Sequence, residues 1–177
     1  VVGCNNPKQT QDYFHTTLVK ELIKNDVLVL QTGCSAIACA KQGLLIPEAA
    51  SEFAGKGLQE ICEAVGIPPV LHLGSCVDNT RILTVLTQMV EEGGLGDDID
   101  QIPAVGLAPE WMSEKALAIA TYCVASGAYV IFGGSSPVSG MPDRVTDSDA
   151  VLRYISQGWE RLYGGKLEFL SDPDEMI

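Results

Sequence analysis

One local pattern occurs three times and limits what the chain can fold into. Val1-Val2-Gly3 runs into Cys4, Val27-Leu28-Val29-Leu30-Gln31-Thr32-Gly33 into Cys34, and Val70-Leu71-His72-Leu73-Gly74-Ser75 into Cys76. Each time an apolar, β-branched run reads as a buried strand, a glycine follows, and a thiol stands at the turn. Polar residues and a helical pattern come next. Strands that alternate with helices in this way predict an α/β fold, a three-layer Rossmann-like domain with a mainly parallel sheet of five to six strands. In an open parallel sheet the strand-to-helix turns share the carboxyl edge, where ligands bind. Cys4, Cys34 and Cys76 are therefore expected to converge.

The rest of the chain supplies the other units. The spacing predicts helices over Gln11 to Lys24, Ser35 to Gln42, Pro47 to Val65, Asp78 to Glu92, Ser113 to Ser126 and Asp147 to Leu162. Phe14, Leu18, Leu22 and Val19 would form the inward face of the first. Gly55 and Gly57 weaken the middle of the third, and Gly66 ends it. Asp78 or Asn79 is a candidate cap for the fourth. Further strands are expected at Ala104 to Ala108, Ala128 to Phe132 and Lys166 to Leu170. Gly133-Gly134-Ser135-Ser136-Pro137 reads as a loop that approaches something closely. At 177 residues the chain is expected to be a single domain over 1–177, and its opening on a strand without Met predicts a piece of something longer.

Composition excludes several classes. The net charge of −12 argues against a phosphate-tracking surface, so no nucleic-acid partner is expected. No run reaches the ~18 apolar residues of a membrane span, and the first residues lack a signal-peptide pattern. A cytoplasmic, reducing compartment follows. There, six cysteines act as metal ligands, catalytic groups or core filler rather than disulfides. No G-x-G-x-x-G follows the first strand and no P-loop is present.

Soft thiolates suit zinc, copper(I), nickel and iron–sulfur clusters. The ligands stand 30 and 42 residues apart, the spacing of successive β–α units and unlike a tight C-x-x-C clip. Such a site takes one ligand per turn and needs others from elsewhere. Cys39, Cys62 and Cys123 lie among apolar neighbours in helical patterns and read as core filler. His15 and His72 read as structural. Lys115 falls in the first turn of a helix, after Glu110-Trp111-Met112-Ser113-Glu114. Its charge opposes the helix dipole there, which suits a proton donor or acceptor. The plainer reading, favoured on the residues alone, is a solvated lysine paired with Glu110 or Glu114.

These segments together resemble a known family. Val2-Gly3-Cys4-Asn5-Asn6-Pro7, Thr32-Gly33-Cys34-Ser35-Ala36 and Gly74-Ser75-Cys76-Val77-Asp78-Asn79 are similar to the cluster-binding segments of anaerobic nickel-containing carbon monoxide dehydrogenase. The Trp111 to Lys115 segment and Ser136-Pro137-Val138-Ser139-Gly140 resemble the same catalytic subunit. The resemblance covers essentially the whole chain, as the C-terminal domain of a longer, multi-domain oxidoreductase of the hybrid-cluster superfamily. It implies that Cys4 and Cys34 ligate iron in a [Ni-4Fe-4S] cluster, that Cys76 ligates nickel, and that Lys115 is the catalytic acid/base beside the substrate. The implied reaction is the reversible oxidation of CO with water to CO2, two protons and two electrons. The implied partners are the remaining domains of the same subunit, a second subunit in a homodimer and an electron carrier such as ferredoxin. The chain alone is then expected to hold no complete cluster and to be inactive. Two alternatives remain open: a hybrid-cluster-type reductase domain, and an α/β scaffold with structural zinc or no metal.

Overall fold

The computed structural model describes residues 1–8, 10–134, 157–170 and 172–176. Along the described residues the elements run α1 (Tyr13–Lys24), β1 (Val29–Gln31), α2 (Gly33–Lys41), α3 (Glu48–Phe53), α4 (Lys56–Val65), β2 (Val70–His72), α5 (Thr80–Glu91), β3 (Val105–Ala108), α6 (Glu114–Ala125), β4 (Tyr129–Gly133) and β5 (Lys166–Leu170). Residues 157–163 are helical as well, and 135–156 lie outside the described residues. The Ser136 to Gly140 motif and most of the helix expected from Asp147 fall in that stretch. Among the described residues, no helix is long and apolar enough to cross a membrane.

All strand pairs are parallel, as the α/β alternation predicts, but they form two sheets rather than one. β1 pairs with β2, Val29 opposite Val70 and Gln31 opposite His72. β3, β4 and β5 form the other sheet, with Leu107 opposite Ile131 and Phe132 opposite Phe169. The expected single sheet is interrupted at residues 1–3, where the strand reading of Val1 to Gly3 is not met. Those residues nevertheless lie between the sheets. The Val1 nitrogen donates to the Leu30 carbonyl at 2.7 Å, and Val2 N–H donates to the Leu107 carbonyl at 2.8 Å. One bond to each side makes the segment a seam between the two sheets.

Alternating strand residues sort the core into layers. Leu107 and Ile131 face Phe14 and Leu18 of α1. Their neighbours Ala108, Val130 and Phe132 face Ala120 and Val124 of α6 on the opposite side. Helices therefore cover both faces of the β3–β4–β5 sheet. On the other sheet, Val29 and Val70 pack with Val19, Ile23, Cys39, Ala50, Leu58 and Cys62. Cys39 and Cys62 are thus core residues, and Cys123 packs between α6 and the Leu83–Leu86 face of α5.

The single helix expected from Pro47 is two helices, with the break at Ala54 and Gly55. A Cβ at Gly55 would strike the Asp26 carboxyl group and the Lys24 carbonyl. Asp26 needs that approach, because its Oδ1 accepts the Leu58 N–H at 2.9 Å and so caps α4 from another loop. Gly66 ends α4 in the left-handed region at φ 76°.

Candidate metal centre

Each cysteine of the repeated pattern is placed by its own turn. Cys34 stands in the first turn of α2, after Gly33 at φ 64°. The buried Thr32 hydroxyl donates to Asn79 Oδ1, and Ser35 Oγ donates to the carbonyls of Val1 and Thr32. Cys76 opens a 3-10 turn that leads into α5. Asp78 shapes that turn: its Oδ2 accepts the Ser75 N–H at 2.8 Å and the Ser75 hydroxyl at 2.9 Å. The same two bonds, the N–H first, hold the Asp78 carboxyl group below its ordinary pKa. The cap expected at Asp78 or Asn79 is therefore this Ser75–Asp78 box. The edge residue His72 is exposed rather than buried, and its Nδ1 accepts the Gly74 N–H at 2.9 Å.

The structure brings the three turns together. Gly33 N–H donates to the Gly74 carbonyl at 3.0 Å, which docks the Cys34 turn on the Cys76 turn. A Cβ built on Gly33 would lie 2.5 Å from Cys76 Sγ, so only glycine leaves room for that sulfur. The Cys34 thiol is pushed up from its ordinary pKa, first by burial of the sulfur and then by the neighbouring thiols of Cys76 and Cys4. The Asn5 N–H opposes this by bonding the Cys34 sulfur. As residues, Cys34 and Cys76 are exposed to solvent and Cys4 is half-buried.

The segment that carries the fourth expected residue touches the Cys4 turn. Ser113 occupies the N-cap position of α6 without a side-chain cap bond, and its hydroxyl is 3.9 Å from Cys4 Sγ. Lys115 is exposed in the first turn of that helix. It is not paired with Glu110. That side chain is fully buried, its Oε1 accepting the N–H groups of Phe14 and His15 at 3.0 and 3.3 Å. Asn6 Nδ2 donates to the Trp111 carbonyl at 3.2 Å, which ties the Cys4 turn to the Lys115 segment.

His15 and Glu110 are the site neighbours that sequence reasoning missed. His15 falls three residues before Leu18 and four before Val19, spacing that placed it on the inward face of α1. Nothing local marks Glu110 as buried.

Sulfur donors are soft ligands. Among the described residues, no three His, Cys, Asp or Glu side chains stand close enough to hold one metal ion. Thiolates on different metals of one inorganic core stand further apart than those around a single ion, and soft sulfur suits nickel and iron–sulfur cores. The close approach that Gly33 permits would also let backbone lie against such a core.

Comparisons with known proteins agree with this chemistry. Carbon monoxide dehydrogenase 1 of Methanosarcina mazei is 51% identical over 173 residues, covering 98% of this chain and 26% of that protein. The carbon monoxide dehydrogenase/acetyl-CoA synthase subunit beta of Moorella thermoacetica is 41% identical over 181 residues, with 98% and 26% covered. The as-isolated, nickel-free carbon monoxide dehydrogenase of Thermococcus sp. AM4 matches with a TM-score of 0.87 at 49% identity, over 98% of this chain and 26% of that one. The chain thus spans about a quarter of the length of these relatives. The family profile described as Prismane/CO dehydrogenase matches residues 1–174. By that match along nearly its whole length, the chain belongs to the Prismane/CO dehydrogenase family.

Proposed function

We propose that this chain is the C-terminal, Rossmann-like domain of a nickel carbon monoxide dehydrogenase and supplies part of its active site. The observation that carries this reading is the approach of three thiols from three separate turns of the chain. Cys4 and Cys34 would hold iron and Cys76 nickel in a [Ni-4Fe-4S] cluster, with the remaining ligands coming from other domains of the same subunit. When bound, that cluster supplies the two-electron redox chemistry linking CO and water to CO2 and two protons.

The chain's own residues do the rest. Deprotonated thiols anchor the group, and the Asn5 N–H stabilises charge on the Cys34 sulfur. Gly33 keeps the space beside Cys76 open. Lys115, at the start of α6, offers a mobile cation at the mouth of the site, where it would stabilise negative charge on a bound carboxylate and exchange protons. Electrons would leave through an electron carrier such as ferredoxin, in a cytoplasmic homodimer.

The test is made on the full-length enzyme. Purified protein should contain nickel and iron together and reduce a viologen dye with CO. Cys76→Ala should abolish that activity, by at least about 1000-fold if the ligand is essential, and leave the far-UV spectrum unchanged. Iron without nickel would indicate a hybrid-cluster-type reductase, and zinc or no metal a scaffold. Activity that survives the substitution would remove the nickel-ligand assignment.

A further inference from the structure

Helix α1 is capped in an unusual way. Asp12 occupies the N-cap position but is left-handed at φ 64° and makes no side-chain cap bond. Its carboxylate is engaged elsewhere, accepting Asn5 Nδ2 at 3.1 Å and Lys41 Nζ at 2.7 Å. Glu110, nearly a hundred residues away, takes over the cap by accepting the Phe14 and His15 N–H groups. Its other oxygen, Oε2, is buried without a hydrogen-bond partner, 3.9 Å from His15 Nε2. His15 is itself fully buried, and its Nδ1 is also unpartnered. Its Nε2 lies 2.8 Å from the Cys4 carbonyl. A carbonyl only accepts, so Nε2 carries the proton and donates.

A local Ser, Thr or Asp cap would end this helix without burying an acid and an imidazole that are only half satisfied. What the arrangement achieves is a connection. Glu110 opens the segment that runs through Trp111 and Ser113 to Lys115, and His15 grips the backbone of Cys4. A Cβ on Gly3 would lie 3.4 Å from the His15 ring and 3.7 Å from the Trp111 nitrogen, so the three strands of chain are in close contact. We propose that His15 and Glu110 are positioning residues that hold the Cys4 turn in fixed register with the start of α6, and so set the Cys4 sulfur relative to Lys115. The proposal rests on the reading of Cys4 as a cluster ligand, and its test does not require the cluster.

In metal-free full-length enzyme, the iodoacetamide reaction rates of Cys4 and Cys76 are followed by mass spectrometry, with Cys76 as internal reference. Glutamine carries its amide nitrogen about where His15 has Nε2, and asparagine about where it has Nδ1. His15→Gln should therefore keep the Cys4 rate close to wild type. His15→Asn, His15→Leu and Glu110→Ala should shift it about fivefold, the equivalent of one hydrogen bond, with Cys76 unmoved. If His15→Leu or Glu110→Ala does not fold, the glutamine–asparagine pair carries the test. Equal changes at Cys4 and Cys76, or His15→Asn behaving like His15→Gln, would overturn the proposal. Nickel and iron content of the wild-type enzyme tests the underlying reading separately.

Discussion

The Cys34 thiol is held back from ionising by partial loss of water and by two neighbouring thiols. Burial of its sulfur raises its pKa from the ordinary 9.0, and Cys76 and then Cys4 raise it further. In metal-free protein, its alkylation should accelerate only as pH rises through that elevated value, because the thiolate is the nucleophile. Cys76→Ala removes the thiol neighbour with the larger effect on Cys34. The midpoint of the Cys34 pH–rate profile, read by mass spectrometry, should then move toward lower pH; an unmoved midpoint would mean that the sulfurs do not sense one another. The thiols were legible in the sequence because a repeated strand–glycine–cysteine pattern fixes topology as well as chemistry. Glu110 was not: between Pro109 and Trp111 ahead of a helix it reads as a surface acid, and only its bonds to α1 reveal it as buried.

Among the elements, β4 joins the core to the site. Phe132 is fully buried, edge-on to Trp111 at 5.1 Å between ring centroids and stacked on Phe169 at 5.3 Å. Trp111 in turn donates its Nε1–H to the Gly133 carbonyl at 2.6 Å. Phe132→Ala should cost about 3–5 kcal/mol by lost burial and the cavity left behind. The check is a denaturant midpoint shifted at unchanged slope, with Phe132→Leu losing less. The sequence reads these elements well where apolar periodicity is strong, as in α1, α5 and α6. It joins α3 to α4 because propensity registers Gly55 and Gly57 only as weak helix formers. Their reason for being there is tertiary, the approach of Asp26. Gly133 does approach a neighbour closely, since a Cβ there would overlap the Pro109 carbonyl.

Over the whole molecule, residues 1–3 hold two sheets together. Val1 packs with the cores on both sides of the seam, and Val2 with the α6 side. Val2→Pro would delete the donor to the Leu107 carbonyl, a residue only 2% exposed. Leaving that acceptor unmet should cost about 1–3 kcal/mol, seen as a lower melting temperature with faster amide exchange in β3. The spread of the thiols along the chain has a consequence for biogenesis. Residues 4, 34 and 76 lie in different parts of the chain, so a partly folded intermediate does not present them together. On the proposed reading, metal capture would therefore act as a checkpoint, loading only a polypeptide whose parts have all docked.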